Sequence, residues 1–178
     1  MAYYSTKTYD HSEGLSCAFR QWRAKHSHCR WIHGYALAVK FTFGCKELDD
    51  RNWVQDFGGL KTVKQWLKNT FDHTLCVAED DPELDRFKKM HEDDVVDLRI
   101  LPAVGCEKFA EYIYAHVSKV VDTERMWLQS VEVKEHGANG AIFTRPDKTF
   151  PGPISINLFT FEFIIFITIS LHLTGFSI

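Results

Sequence analysis

The sequence has no Cys-x-x-Cys pair, no run of lysines and arginines and no internal repeat. Its five cysteines (Cys17, Cys29, Cys45, Cys76 and Cys106) are odd in number and scattered, so neither a zinc knuckle nor a thioredoxin-like motif is legible. That pattern suits a reduced, cytoplasmic protein whose thiols mostly serve packing. The formal net charge of −3 comes from mixed signs, leaving no basic footprint for nucleic acid and no polybasic segment for an anionic membrane. The first residues, Met-Ala-Tyr-Tyr-Ser-Thr, lack the charged-then-apolar order of a secretory signal. What is present is an ordinary globular balance, 45% hydrophobic and 25% charged over 178 residues, which excludes disorder. A small-molecule or protein partner is the expectation that remains.

Residues 36–43 alternate cleanly, with Leu37, Val39, Phe41 and Phe43 on one face and Ala36, Ala38, Lys40 and Thr42 on the other. This predicts a half-buried strand. An earlier strand is expected through 14–22, antiparallel to it across the polar, His-rich connection 23–33. Leu60, Val63, Leu67 and Phe71 recur at helical spacing, and that helix should end near Asp72-His73. The acidic stretch 77–99, broken by Asp80-Asp81-Pro82, reads as a loop with a short helix. A second helix fits Glu107 to Val121, with Phe109, Ile113, His116, Val117 and Val120 as its apolar side. Strand character returns at Trp127–Glu135 and Gly140–Thr144. Runs of strands flanking a helical pair indicate an α+β fold, an antiparallel sheet with helices on one face.

Residues 1–150 hold this pattern and 151–178 do not. From Ile154 onward the chain is nearly free of charge, follows Pro151-Gly-Pro153 and matches the ~20 residues of a membrane span. Glu162 and His172 count against an ordinary span, and no Lys or Arg flank sets an orientation. A non-native extension, an oligomer-packing strand and a membrane anchor all fit this tail. It stays outside the functional argument, and no membrane role is expected unless it inserts.

Four metal-type side chains, His26, His28, Cys29 and His33, fall within residues 26–33. Imidazole and thiolate suit zinc, although the spacing fits no standard finger and a His-rich polar loop is the plainer account. Cys29 could act as nucleophile or base beside His and Arg, or be inert packing. In Asp72-His73 a carboxylate could orient an imidazole for proton transfer, although adjacent pairs of this kind also occur by chance on surfaces. Glu135 shares a strand face with Val131 and Val133, so alternation directs its carboxylate toward the apolar side. A carboxylate there needs a partner, such as a ligand with two adjacent N–H donors, unless it reaches back to solvent from the strand end.

In order and spacing these pieces resemble the 6-pyruvoyl-tetrahydropterin synthase and 6-carboxytetrahydropterin synthase family over about residues 12–145. Five stretches carry the resemblance: Cys29-Arg-Trp-Ile-His33-Gly-Tyr35, Trp53-Val-Gln-Asp56-Phe57-Gly-Gly-Leu60-Lys61, Phe71-Asp72-His73-Thr74-Leu75, Gly105-Cys106-Glu107 and Val131-Glu-Val-Lys-Glu135-His-Gly-Ala138. The resemblance implies the tunnelling fold: four antiparallel strands with two helices between the second and third, closed into a barrel by a trimer, two of which stack in a hexamer. It implies active sites between subunits acting on 7,8-dihydroneopterin triphosphate. Glu135 would then anchor the pterin, with Glu107 as a second contact. Cys29 would be the base, and His73, oriented by Asp72, would complete the proton relay. It also implies zinc on three histidines, but the corresponding positions here are Phe19, His33 and Tyr35, and only His33 can ligate. His26 and His28 are the candidate substitutes. The expected activity is that of a 6-carboxytetrahydropterin synthase serving 7-deazaguanine (queuosine-type) synthesis. The alternatives are 6-pyruvoyl-tetrahydropterin synthase activity, or a pterin- or purine-binding oligomer without zinc chemistry.

Overall fold

The alternating segment at 36–43 is the middle of a much longer strand. In a computed structural model, which describes residues 1–146, the elements in chain order are β1 (Tyr3–Tyr9), β2 (Leu15–Phe19), β3 (His33–Cys45), α1 (Lys61–Phe71), β4 (Thr74–Ala78), α2 (Leu84–Glu92), β5 (Leu98–Leu101), α3 (Cys106–Val121), β6 (Met126–Lys134) and β7 (Gly140–Thr144). Leu37, Val39, Phe41 and Phe43 of β3 are all fully buried, as their alternation requires.

One edge of β3 is shared by two strands in succession. Tyr9 of β1 lies opposite Val39 and Leu15 of β2 opposite Leu37, so the five residues Asp10–Gly14 occupy the place facing Ala38 alone. They fold into a tight turn whose Asp10 carboxylate accepts from the Ser12 N–H, closed by Gly14 at φ +79°. The other edge of β3 pairs antiparallel with β6, and β7 lies outside β6. Counting the interrupted β1/β2 as one, this is the expected four-stranded antiparallel core. Beyond it the sheet is mixed. β4 joins β2 in parallel and β5 joins β4 in parallel, giving the order β5-β4-β2-β3-β6-β7, with β1 also on β3. Among the described residues the sheet of one chain is open.

Three helices lie between β3 and β6: the expected pair, α1 and α3, and α2, the short helix expected within the acidic stretch 77–99. α1 turns Val63, Leu67 and Phe71 inward, and α3 buries Phe109, Ile113, Tyr114 and Val117. Val120 is exposed, and His116 stacks on Trp66 at 3.9 Å between ring centres instead of entering the core. Truncating one of the buried phenylalanines would cost about 3–5 kcal/mol. Residues Met1–Arg145 make up one compact unit. The hydrophobic tail lies outside the described residues. Among the described residues no helix is long and apolar enough to cross a membrane.

Candidate functional site

Four chain segments meet at one end of the sheet: the end of β2, the start of β3, the end of β6 and the start of α3. Antiparallel register sets Phe19 opposite His33 and Cys17 opposite Tyr35. Side chains at 19, 33 and 35 therefore share a face. Their rings pack together: Phe19 is 4.9 Å from His33 and 6.5 Å from Tyr35, and His33 is 5.5 Å from Tyr35. Phe109 of α3 closes on Phe19 edge-on at 5.1 Å, and His136, just past β6, approaches Tyr35 at 5.9 Å.

These are the three positions where the resemblance implies zinc ligands. The fold brings them together, but the chemistry does not follow. A phenyl ring has no donor atom, Phe19 is fully buried against other rings, and zinc is held by imidazole, thiolate and carboxylate groups. His26 and His28 stand exposed on the connection between β2 and β3. They form no ligand group with His33, since among the described residues no three His, Cys, Asp or Glu side chains are placed to hold a metal. The residues present do not fit the family's zinc. His33 is nonetheless fixed: its Nδ1 lies 2.7 Å from the Trp31 carbonyl, which only accepts, so Nδ1 carries the proton and Nε2 of the neutral ring is an acceptor.

An acidic group borders the rings. Val131 and Val133 are fully buried, and Glu135 follows them half-buried at the strand end, its N–H donating to the Asn139 carbonyl at 3.2 Å. Cys106 opens α3 beside it. Burial, then the charges of Glu135 and Glu107, push its thiol up to about 12. Glu107 lies exposed in the first turn of α3, where the helix dipole favours a carboxylate. Gly105, at φ +109°, sits so close to Gln21 that a Cβ there would lie 2.6 Å from the Gln21 amide nitrogen. Gln21, Cys106, Glu107 and Glu135 thus converge.

The connection carrying Cys29 is tied to the same place. Gln21 N–H donates to the Cys29 carbonyl at 2.7 Å, and the Cys29 N–H donates to Ser27 Oγ at 3.2 Å. Asp80 accepts from Trp22 at 3.1 Å and from Arg23 at 2.7 Å, and Arg20 pairs with Asp81. The thiol of Cys29 is half-buried, whereas the other four cysteines are buried. Asp72 and His73 hydrogen bond through Oδ1 and Nδ1 at 2.6 Å, with the His73 side chain 86% exposed and its backbone left-handed at φ +57°. No hydrogen bond joins this pair to the Cys29 connection within one chain, among the described residues. Sequence reasoning missed Gln21, Cys106 and His136. The signal for two of them was adjacency, to Glu107 and to Glu135.

The profile of the family described as 6-pyruvoyl tetrahydropterin synthase matches residues 9–146. Two curated relatives named 6-carboxy-5,6,7,8-tetrahydropterin synthase are similar: that of Rickettsia bellii is 31% identical over 64 residues (35% of this chain, 46% of the relative), and that of Rickettsia felis is 33% identical over 57 residues (32% and 41%). The chain spans under half the length of these curated relatives. Among solved structures, the protein WS1659 of Wolinella succinogenes superposes with a TM-score of 0.70 at 18% identity, covering 82% of this chain and 99% of that one. The 6-pyruvoyl tetrahydropterin synthase of Plasmodium falciparum gives 0.59 at 18%, covering 81% and 98%. Identity that low speaks for the fold, which is the tunnelling fold. With its motifs, its sheet and a matching profile over most of its length, the chain belongs to the 6-pyruvoyl tetrahydropterin synthase family.

Proposed function

We propose that the chain is a tetrahydropterin synthase-type lyase. It converts 7,8-dihydroneopterin triphosphate and one water to 6-carboxy-5,6,7,8-tetrahydropterin, with release of acetaldehyde and triphosphate, in the synthesis of 7-deazaguanines. The observation that carries this reading is the half-buried Glu135 carboxylate, facing Cys106 and Glu107 at the start of α3. A pterin offers an amino group and a ring N–H side by side, and paired charge-assisted hydrogen bonds to one carboxylate suit that edge. Cys29, the accessible thiol tied to the same corner through Gln21, takes the proton from the side-chain carbon. His73, held by Asp72, returns a proton from a neighbouring copy, since among the described residues no hydrogen bond joins the pair to the Cys29 connection within one chain. The open sheet supports assembly into a trimer or hexamer that pairs its edges.

A second reading, a pterin-binding oligomer without turnover, is favoured by Phe19 and Tyr35 at the implied ligand positions. Product analysis after incubation with dihydroneopterin triphosphate separates the readings. Acetaldehyde and a 6-carboxy product support the lyase, and a 6-pyruvoyl product supports the sister activity. Tight pterin binding with no product supports the second reading, and no binding overturns them all.

A further inference from the structure

We infer that ligand selection at this site does not pass through a metal: the half-buried rings of His33 and Tyr35, backed by the buried Phe19 and flanked by His136, form a wall that recognises the flat heterocycle and leaves its side-chain hydroxyls unselected. The inference rests on the pterin reading of Glu135 and deepens it.

Three observations carry it. The register of β2 on β3 places residues 19, 33 and 35 on one face, so the ring cluster occupies the implied metal position itself. Phe19 is also core: fully buried, it packs on Phe109, which packs on Phe71 at 5.3 Å. A cation there would have to displace a phenyl ring from a close-packed interior and lose its water with one imidazole in return, a strongly unfavourable exchange. The polar groups that remain, Glu135, Glu107 and Gln21, gather around the start of α3, on the acidic side of the rings. They suit the donor edge of a heterocycle. A vicinal diol, which a metal would chelate, meets rings instead.

The test uses the full purified chain after dialysis against a chelator. Zinc is titrated and counted by elemental analysis. Binding is then measured by fluorescence for 7,8-dihydroneopterin, which carries the diol, and for 6-methyl-7,8-dihydropterin, which does not, with and without zinc. We expect no stoichiometric zinc and dissociation constants for the two pterins within about threefold, a difference under ~1 kcal/mol, unmoved by zinc. The double variant Phe19→His/Tyr35→His should gain one zinc per chain beside His33, because the fold already gathers the three positions. One zinc retained per wild-type chain, or a zinc-dependent preference for the diol of about thirtyfold or more, would overturn the inference. Should neither pterin bind, the proposed function fails, and the wild-type zinc titration still decides whether the wall excludes the metal.

Discussion

Arg20 grips Asp81 at two points, Nε to Oδ2 at 2.8 Å and Nη2 to Oδ1 at 2.5 Å, with the Asp81 side chain wholly out of solvent. Arg20 is the residue after β2, and Asp81 precedes α2. The pair fixes the point from which the Cys29 connection departs, and Asp80 holds Trp22 and Arg23 just beyond it.

Removing one member of such a buried pair strands the other charge. Asp81→Ala should lower stability by about 3–5 kcal/mol at neutral pH, read from urea midpoints. Burial works against ionisation of Asp81, but Arg20 and the Glu83 N–H outweigh it and hold the carboxyl below its ordinary value. A depressed carboxylate stabilises fully above its unfolded value of about 3.9 and loses that contribution as pH falls through the lower folded value. The gap between wild type and variant should therefore shrink below about pH 4, and a gap constant into strong acid would refute the pairing.

Glu135→Ala should weaken pterin binding by about 10–100-fold, the worth of a charge-assisted pair of hydrogen bonds. The same change takes a negative charge from beside Cys106, whose thiol stands at about 12, so thiolate absorbance should rise at a lower pH than in wild type. An unchanged dissociation constant would remove Glu135 as the anchor.

Cys29 is the one cysteine of the five that is not buried, and iodoacetamide should label it first, as peptide mass spectrometry would reveal. Cys29→Ala should cut turnover by about 10²–10⁴-fold while pterin affinity holds. Turnover at the wild-type rate would exclude it from proton transfer.

His73 holds a left-handed backbone that glycine adopts without penalty. His73→Gly should relieve strain and leave the protein as stable or up to about 1 kcal/mol more stable, yet turnover should collapse. Thermal melts beside rate assays would reveal the opposition, and a variant that stays active would dismiss the proton-relay role.

Much of the fold was legible because its signals are periodic. β3 alternates, α1 and α3 carry apolar stripes, and β6 keeps valines two apart. β1 was missed because its seven residues, Tyr-Tyr-Ser-Thr-Lys-Thr-Tyr, offer little apolar contrast, with only Tyr9 buried. β4 was missed for the opposite reason: all five of its residues are buried, so nothing alternates, and its parallel partners lie far along the chain. At the site, Glu135 could be read from strand period alone. Phe19 and Tyr35 read as lost ligands, but their packing with His33 depends on cross-strand register, which no local pattern encodes. Gln21 and Cys106 meet only once β2 and α3 have been brought together.

The length of β3 has a consequence for how this protein can change. Phe41 and Phe43 sit in the interior, while His33 and Tyr35, on the same strand, pack ring to ring at the end of the sheet. A slip of one residue would turn both sets to the wrong face, so hydrophobic burial locks the positions of the ring cluster against rearrangement. Positions 19, 33 and 35 are held together by cross-strand register, which depends on the frame of the sheet and not on which side chains stand there. Chemistry at this end of the sheet can be lost, regained or redirected by side-chain exchange, with the architecture left intact.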